Sequence, residues 1–294
     1  MTTIYSPAER GFDERLALID RCQSALLREI VGQYGAGRLF LKGGMAMRAV
    51  FGSLRLTKDI DFDRDPSLSL SSAKDGLRHA IVRAAANAGI RQPEAQVTKA
   101  SGTTVRVRLA GRSVSGIDLR FEVEVSGRGL PAPRYRRKEM VIPPASYGIA
   151  PFVVESFTID MLAAMKVAAA MSAARHAPRD IYDLHDLMLA GADPSDVLSS
   201  SPPAMLKEIR NDATDKLELV TYARAREELA PYLPSDVRDA LKEDQWISDT
   251  IEVGAAIERW ATSALEKLEQ RGARIGVVVV PDAASPTYRK KRPT

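Results

Sequence analysis

Two aspartates two residues apart, Asp59 and Asp61, follow the pair Gly43-Gly44 with about fifteen residues between. Lys58-Asp59-Ile60-Asp61-Phe62 alternates polar and apolar residues, the period of a strand, so both carboxylates leave the same face. Like charges this close repel unless a cation neutralises them. Magnesium, or manganese in its place, prefers hard oxygen ligands and shares them readily with phosphates. Upstream, Gly43 and Gly44 let the backbone approach a ligand, and the helix expected after them offers free N–H groups to phosphate. Together these parts suit metal-dependent nucleotidyl transfer: the glycine turn holds a triphosphate, and the acids hold the metal that activates the attacking group. Asp63 and Asp65 continue the acidic run and read as solvated turn residues past the end of the strand.

A second set of candidates lies further on. Lys166 is conspicuous in a segment otherwise rich in Ala, Met, Leu and Val. It either occupies the wet face of a helix or reaches the β and γ phosphates as a flexible point charge. Asp180 and Asp183 are three apart and share a helix face. One caps the helix that opens at Pro178, and the other, with Asp183 preferred, orients Lys166 or the nucleotide. In residues 120–126, Glu122 and Glu124 fall on one face, either as a third acid for the metal or as partners of Arg106 and Arg108. Arg48 and Arg55 either clamp phosphate or pair with neighbouring acids. Arg128, Arg134, Arg136, Arg137 and Lys138 fall in residues 127–138 without an acid among them, which suits an RNA backbone or a solvated loop.

Lys42-Gly43-Gly44-x-Ala46-x-Arg48, followed by Arg55-x-Thr57-Lys58-Asp59-Ile60-Asp61-Phe62, resembles the opening of the AbiEii/AbiGii toxin family. That family comprises nucleotidyltransferase-like toxins of type IV toxin–antitoxin systems and includes the mycobacterial MenT toxins. Glu155, Asp160, Lys166 and Arg175, then Pro178-Arg179-Asp180-Ile181-Tyr182-Asp183-Leu184, resemble its second block. The resemblance implies a role for Lys166 and for one acid of the second block, Asp180 or Asp183; the expected catalytic residues are Asp59, Asp61, Lys166 and Asp183, with Glu124 favoured over Glu122 as the third metal ligand. It sets Lys42, Gly43, Gly44, Arg48, Arg55, Lys58 and Asp180 around an NTP. It further implies transfer of NMP to RNA, plausibly a tRNA 3′ end, with translation blocked and a cognate antitoxin as partner. Nucleotidylation of a protein hydroxyl, or nucleotide or partner binding without turnover, are the alternatives.

The elements that must hold these residues follow from periodicity. The first 156 of 294 residues mix helical and strand periods, with helices expected at 12–34 and 71–89 and strands at 38–42, 58–62, 96–109 and 115–125. From residue 157 the period is helical throughout, with helices at 158–174, 178–190, 204–229 (as one or two), 235–243 and 250–270. The expectation is an α+β fold: a nucleotidyltransferase-like mixed sheet with helices over 1–156, then a helical domain over 157–275 completing the nucleotide site. Residues 276–294 read as a mobile tail, where Arg289, Lys290, Lys291 and Arg292 face only Asp282. A composition of 45% hydrophobic and 27% charged residues excludes wholesale disorder. The single cysteine, Cys22, excludes a multi-cysteine zinc site and belongs to the apolar stripe of the first helix. With no signal-like start and no long apolar run, a cytoplasmic protein without membrane contact is expected.

Overall fold

A computed structural model describes residues 1–173 and 175–276. The basic tail expected at 276–294 lies, from residue 277 on, outside the described residues. In chain order, Thr2–Thr3 (β1) leads through a 3-10 turn to Glu14–Tyr34 (α1), Leu39–Lys42 (β2), Gly43–Phe51 (α2) and Asp59–Arg64 (β3). Leu70–Asn87 (α3) precedes Ile90–Ala100 (β4), Thr104–Ser113 (β5) and Asp118–Ser126 (β6). Arg136–Ile142 (β7) and Phe152–Phe157 (β8) complete the strands. The helices that follow are Ile159–Ala170 (α4), Pro178–Leu189 (α5), Ser195–Leu198 (α6), Pro203–Glu218 (α7), Tyr222–Glu228 (α8), Ser235–Ala240 (α9) and Glu243–Gly276 (α10).

Side-chain caps fix where several helices begin. Asp13 accepts from the Leu16 N–H at α1, Ser69 from Ser72 at α3, and Thr158 from Met161 at α4. Thr221 caps α8 in the same way, which splits the helical pattern of 204–229 in two.

The strands form one eight-stranded mixed sheet in the order β1-β7-β8-β2-β3-β6-β5-β4. β3 sits between β2, antiparallel to it, and β6, parallel to it. The register sets Asp59 opposite Glu122, and Asp61 opposite both Glu124 and Lys42. Strand alternation then sorts the residues. Ile60, Phe62, Val123 and Val125 are buried in a core shared with Leu26, Leu27 and Ile30 of α1 and Leu77 and Ile81 of α3. The acids leave the opposite face. A second core joins Val167 of α4 and Ile181 and Leu184 of α5 to α7 and α10. The architecture is α+β, with α1–α3 among the strands and helices alone after β8.

Two expectations need correcting. β3 does not stop before Asp63, which lies inside the strand, buried, with its carboxylate 2.5 Å from the Lys42 ammonium. Nor is 127–138 one open basic loop, because Arg136, Arg137 and Lys138 belong to β7 and pair in register with Phe157, Ser156 and Glu155. Among the described residues no helix is long and apolar enough to cross a membrane.

Candidate active site

Asp59 and Asp61 stand on the polar face of β3 at the floor of a cleft of about 520 Å³ between the sheet and α4–α5. Lys42, Gly43, Gly44, Arg55, Asp63, Glu124, Arg128, Lys166 and Asp180 also line it. The glycine pair is required by packing. Gly43 has a φ of +67°, and a Cβ there would lie 2.5 Å from Asp61 Oδ2. A Cβ on Gly44 would lie 2.6 Å from Thr57 Oγ1 and 2.9 Å from an Arg55 nitrogen. The glycines therefore let the Asp61 carboxylate and the Arg55 guanidinium lie against the start of α2. Lys42, the N-cap of α2, makes no side-chain cap, which leaves the first-turn N–H groups available to an anion.

Burial pushes the Asp61 carboxyl up to about 6, with Asp59 and Glu124 adding to the rise and Lys42 and Lys166 opposing it. Asp59 is raised as well, by burial and by Glu122, against Arg179. This is an anionic pair short of positive charge.

Across the cleft Lys166, nearly buried, lies 3.0 Å from Asp180 Oδ1 and 2.5 Å from Asp183 Oδ2. The two acids thus share the lysine. Asp183 is fully buried and also receives both arms of Arg55, at 2.9 Å each. Burial alone would raise its carboxyl, but Arg55 and Lys166 outweigh burial and hold it below the usual carboxylate range. Asp180 receives Arg175 at 2.7 Å. Asp183 does not line the cleft; it holds Lys166 and Arg55, both of which do.

The third acid has an arginine partner within the cleft. Glu124 lies across from Asp61, but Arg106 grips its carboxylate at 2.5 and 3.0 Å, and Arg108 holds Glu122 at 2.6 and 2.9 Å. Glu124, the expected third metal ligand, thus stands in the cleft beside Asp61 with its carboxylate paired to Arg106. Among the described residues no group of three or more His, Cys, Asp or Glu is arranged to hold a metal ion. Asp59 and Asp61, short of positive charge, would fit a hard divalent cation that took its other ligands from phosphate and water oxygens.

Arg48 does not reach the cleft. It is buried against Asp20 at 2.5 and 2.8 Å and donates to the Tyr5 carbonyl, while Tyr147 donates to the same aspartate at 2.6 Å. Lys58 stands outside the cleft over the Tyr232 ring, 5.0 Å from its centroid. Of the basic stretch, only Arg128 lines the cleft. Arg134 rests on the Tyr135 ring, Arg136 donates to the Pro131 carbonyl, Arg137 pairs with Glu139, and Lys138 lies 3.6 Å from Glu155. Arg106, Arg175 and Arg179 line the cleft without having been marked for it. Arg179, one turn before Asp183 on α5, was open to inference from its place beside Asp180; Arg106 shows only once β5 is paired with β6.

The fold is shared with solved structures, two of which are described as nucleotidyltransferases. JHP933 from Helicobacter pylori matches with a TM-score of 0.55 and 17% identity over 90% of this chain and 98% of its own. A putative nucleotidyltransferase from H. pylori matches at 0.55 and 18% over 88% and 99%. MenT4, a nucleotidyltransferase toxin from Mycobacterium tuberculosis, matches at 0.54 and 19% over 90% and 96%. No curated protein matches the sequence. The family described as nucleotidyl transferase AbiEii toxin, type IV TA system, matches residues 25–264. The chain belongs to the AbiEii family of nucleotidyltransferase toxins.

Proposed function

We propose that the chain transfers a nucleoside monophosphate from an NTP to RNA, with a tRNA 3′ end as the acceptor whose modification blocks translation, and that a cognate antitoxin restrains it. The observation that carries this reading is one cleft holding an unneutralised acid pair, Asp59 and Asp61, opposite Lys166 and beside the uncapped start of α2. The triphosphate lies against the first-turn N–H groups of α2, with Lys42 and Lys166 reaching its outer phosphates. Asp59 and Asp61 would hold magnesium or manganese, which when bound supplies charge neutralisation at the reacting phosphate. The acceptor hydroxyl oxygen bonds to the α-phosphorus, the α–β bridge breaks, and pyrophosphate leaves toward Lys166. The hydroxyl proton passes to the Asp59 carboxylate, which burial and Glu122 make more basic than an ordinary aspartate.

Incubation with each α-labelled NTP in the presence of total RNA and cell lysate tests this reading. Label in small RNA is the expected result. Label confined to protein would replace the acceptor with a protein hydroxyl, and no label in either would leave a binding protein without turnover.

A further inference from the structure

A second cleft, of about 390 Å³, meets the first at Asp59. Asp59 and Thr57 line both. Because β3 and β6 run parallel, their polar faces form one strip with two ends. Asp61, Asp63, Glu124 and Ser126, toward the C-terminal ends, line the nucleotide cleft; Asp59, Arg120 and Glu122, toward the N-terminal ends, line the second. Its other walls are Arg15, Leu16 and Ile19 of α1 with Lys58 and Tyr232. Leu16 also lines a third cavity of about 730 Å³, walled by Phe12, Tyr222, Arg226 and Lys242. The two cavities thus adjoin at Leu16 of α1.

Seven cations and four carboxylates, Asp13, Asp59, Glu122 and Asp239, line this path, and most of the cations are not paired with the acids. Arg108 is engaged by Glu122 and Arg238 lies 3.7 Å from Asp239. Arg15, Lys58, Arg120, Arg226 and Lys242 have no acidic partner within 4.0 Å among the described residues. Two of them lie by tyrosine rings: Lys58 by Tyr232, and Arg226 by Tyr222 at 6.0 Å. Cations spaced between aromatic faces are what a single nucleic-acid strand requires, phosphates on the charges and bases on the rings. By contrast, Arg136, Arg137 and Lys138 are held by partners of their own in β7.

We infer that these two clefts are the acceptor track: a single-stranded RNA end lies along Arg226, Lys242, Arg15 and Arg120 and delivers its terminal hydroxyl to Asp59. This rests on the nucleotidyl-transfer reading above. Displacement at phosphorus needs the attacking and leaving oxygens roughly in line. With the triphosphate at the Gly43 end of the strip, the second cleft is where the attacking oxygen enters.

The test uses the full chain and a fluorescent single-stranded RNA with a free 3′ hydroxyl. Two charge reversals, Arg15→Glu with Arg120→Glu and Arg226→Glu with Lys242→Glu, are compared with Arg134→Glu over a salt series, and binding of a fluorescent NTP is measured in each. Each pair is expected to weaken RNA binding at least tenfold and to flatten the salt slope by about 0.7 per lost phosphate contact. NTP affinity stays at the wild-type level, and Arg134→Glu binds RNA as wild type does. Should a reversal fail to fold, alanine at the same positions gives the same comparison. Wild-type RNA affinity in both pairs, with RNA still labelled by the wild type, would overturn the track and leave the reaction standing. Label only in protein would overturn the reaction and the track with it.

Discussion

Lys166 and Asp183 meet at 2.5 Å, and the same buried carboxylate is forked by Arg55 from its other side. One acid on α5 thereby ties α4, which brings the lysine, to the loop before β3, which brings the arginine. Deleting either end has different consequences. Asp183→Ala leaves Arg55 without its carboxylate and Lys166 with Asp180 alone in a buried site, and should cost about 3–5 kcal/mol. Lys166→Met leaves Asp183 still paired with Arg55, so it should cost less while removing most transfer activity. Chemical unfolding of both variants, with transfer rates, checks the ordering.

Asp61 gives a pH dependence of definite sign. Its carboxyl is raised from 3.8 to about 6 in the folded chain, so between those values the folded state binds more protons than the unfolded state. Stability conferred by the protonated form is fully present below the unfolded value and is lost as pH rises through about 6. Asp61→Asn should remove this loss and gain about 1–3 kcal/mol at pH 7. Unfolding curves from pH 4 to 8 on both proteins measure it.

The same acids should respond to metal. Magnesium or manganese should raise the melting temperature at pH 7.5 more than at pH 5, because protonated Asp61 is a poor ligand. Asp59→Ala and Asp61→Ala should lose most of that shift and be no less stable than wild type without metal. Thermal scans across a metal titration read both effects.

Asp59 and Asp61 were legible in the sequence because strand alternation is local: five residues suffice to set two carboxylates on one face. What stayed hidden depends on distant partners. Arg48 has the same residue type as Arg55 and sits in the same motif, yet Asp20 and Tyr147 claim it for the core. Asp63 looked like a turn residue until β2 brought Lys42 beside it. β7 went unmarked because it opens in a stretch rich in Arg and Pro that carries loop composition. β8, Phe152–Phe157, has strand composition and was open to inference; both strands are fixed by pairing with each other and with β1 and β2.

Arg48 supplies a prediction of its own. Arg48→Ala should destabilise the fold by about 3–5 kcal/mol, since Asp20 is left buried without its guanidinium. NTP affinity in the folded fraction should remain that of the wild type. Denaturant unfolding alongside equilibrium nucleotide binding separates the two; a weakened NTP affinity at full folding would return Arg48 to the nucleotide site.

Gly43→Ala tests the packing beneath the acids. A left-handed alanine costs roughly 1–2 kcal/mol, and its methyl group must displace the Asp61 carboxylate. Transfer should fall well beyond what the stability loss explains, measured as initial rate at saturating NTP and RNA.

The most direct measurement follows α-labelled and γ-labelled NTP side by side in the wild type and in Asp61→Asn, with magnesium and total RNA. The account predicts α-label covalently attached to RNA and γ-label released as pyrophosphate by the wild type, with neither from the variant. Equal labelling by Asp61→Asn, or γ-label appearing in the acceptor, would contradict it.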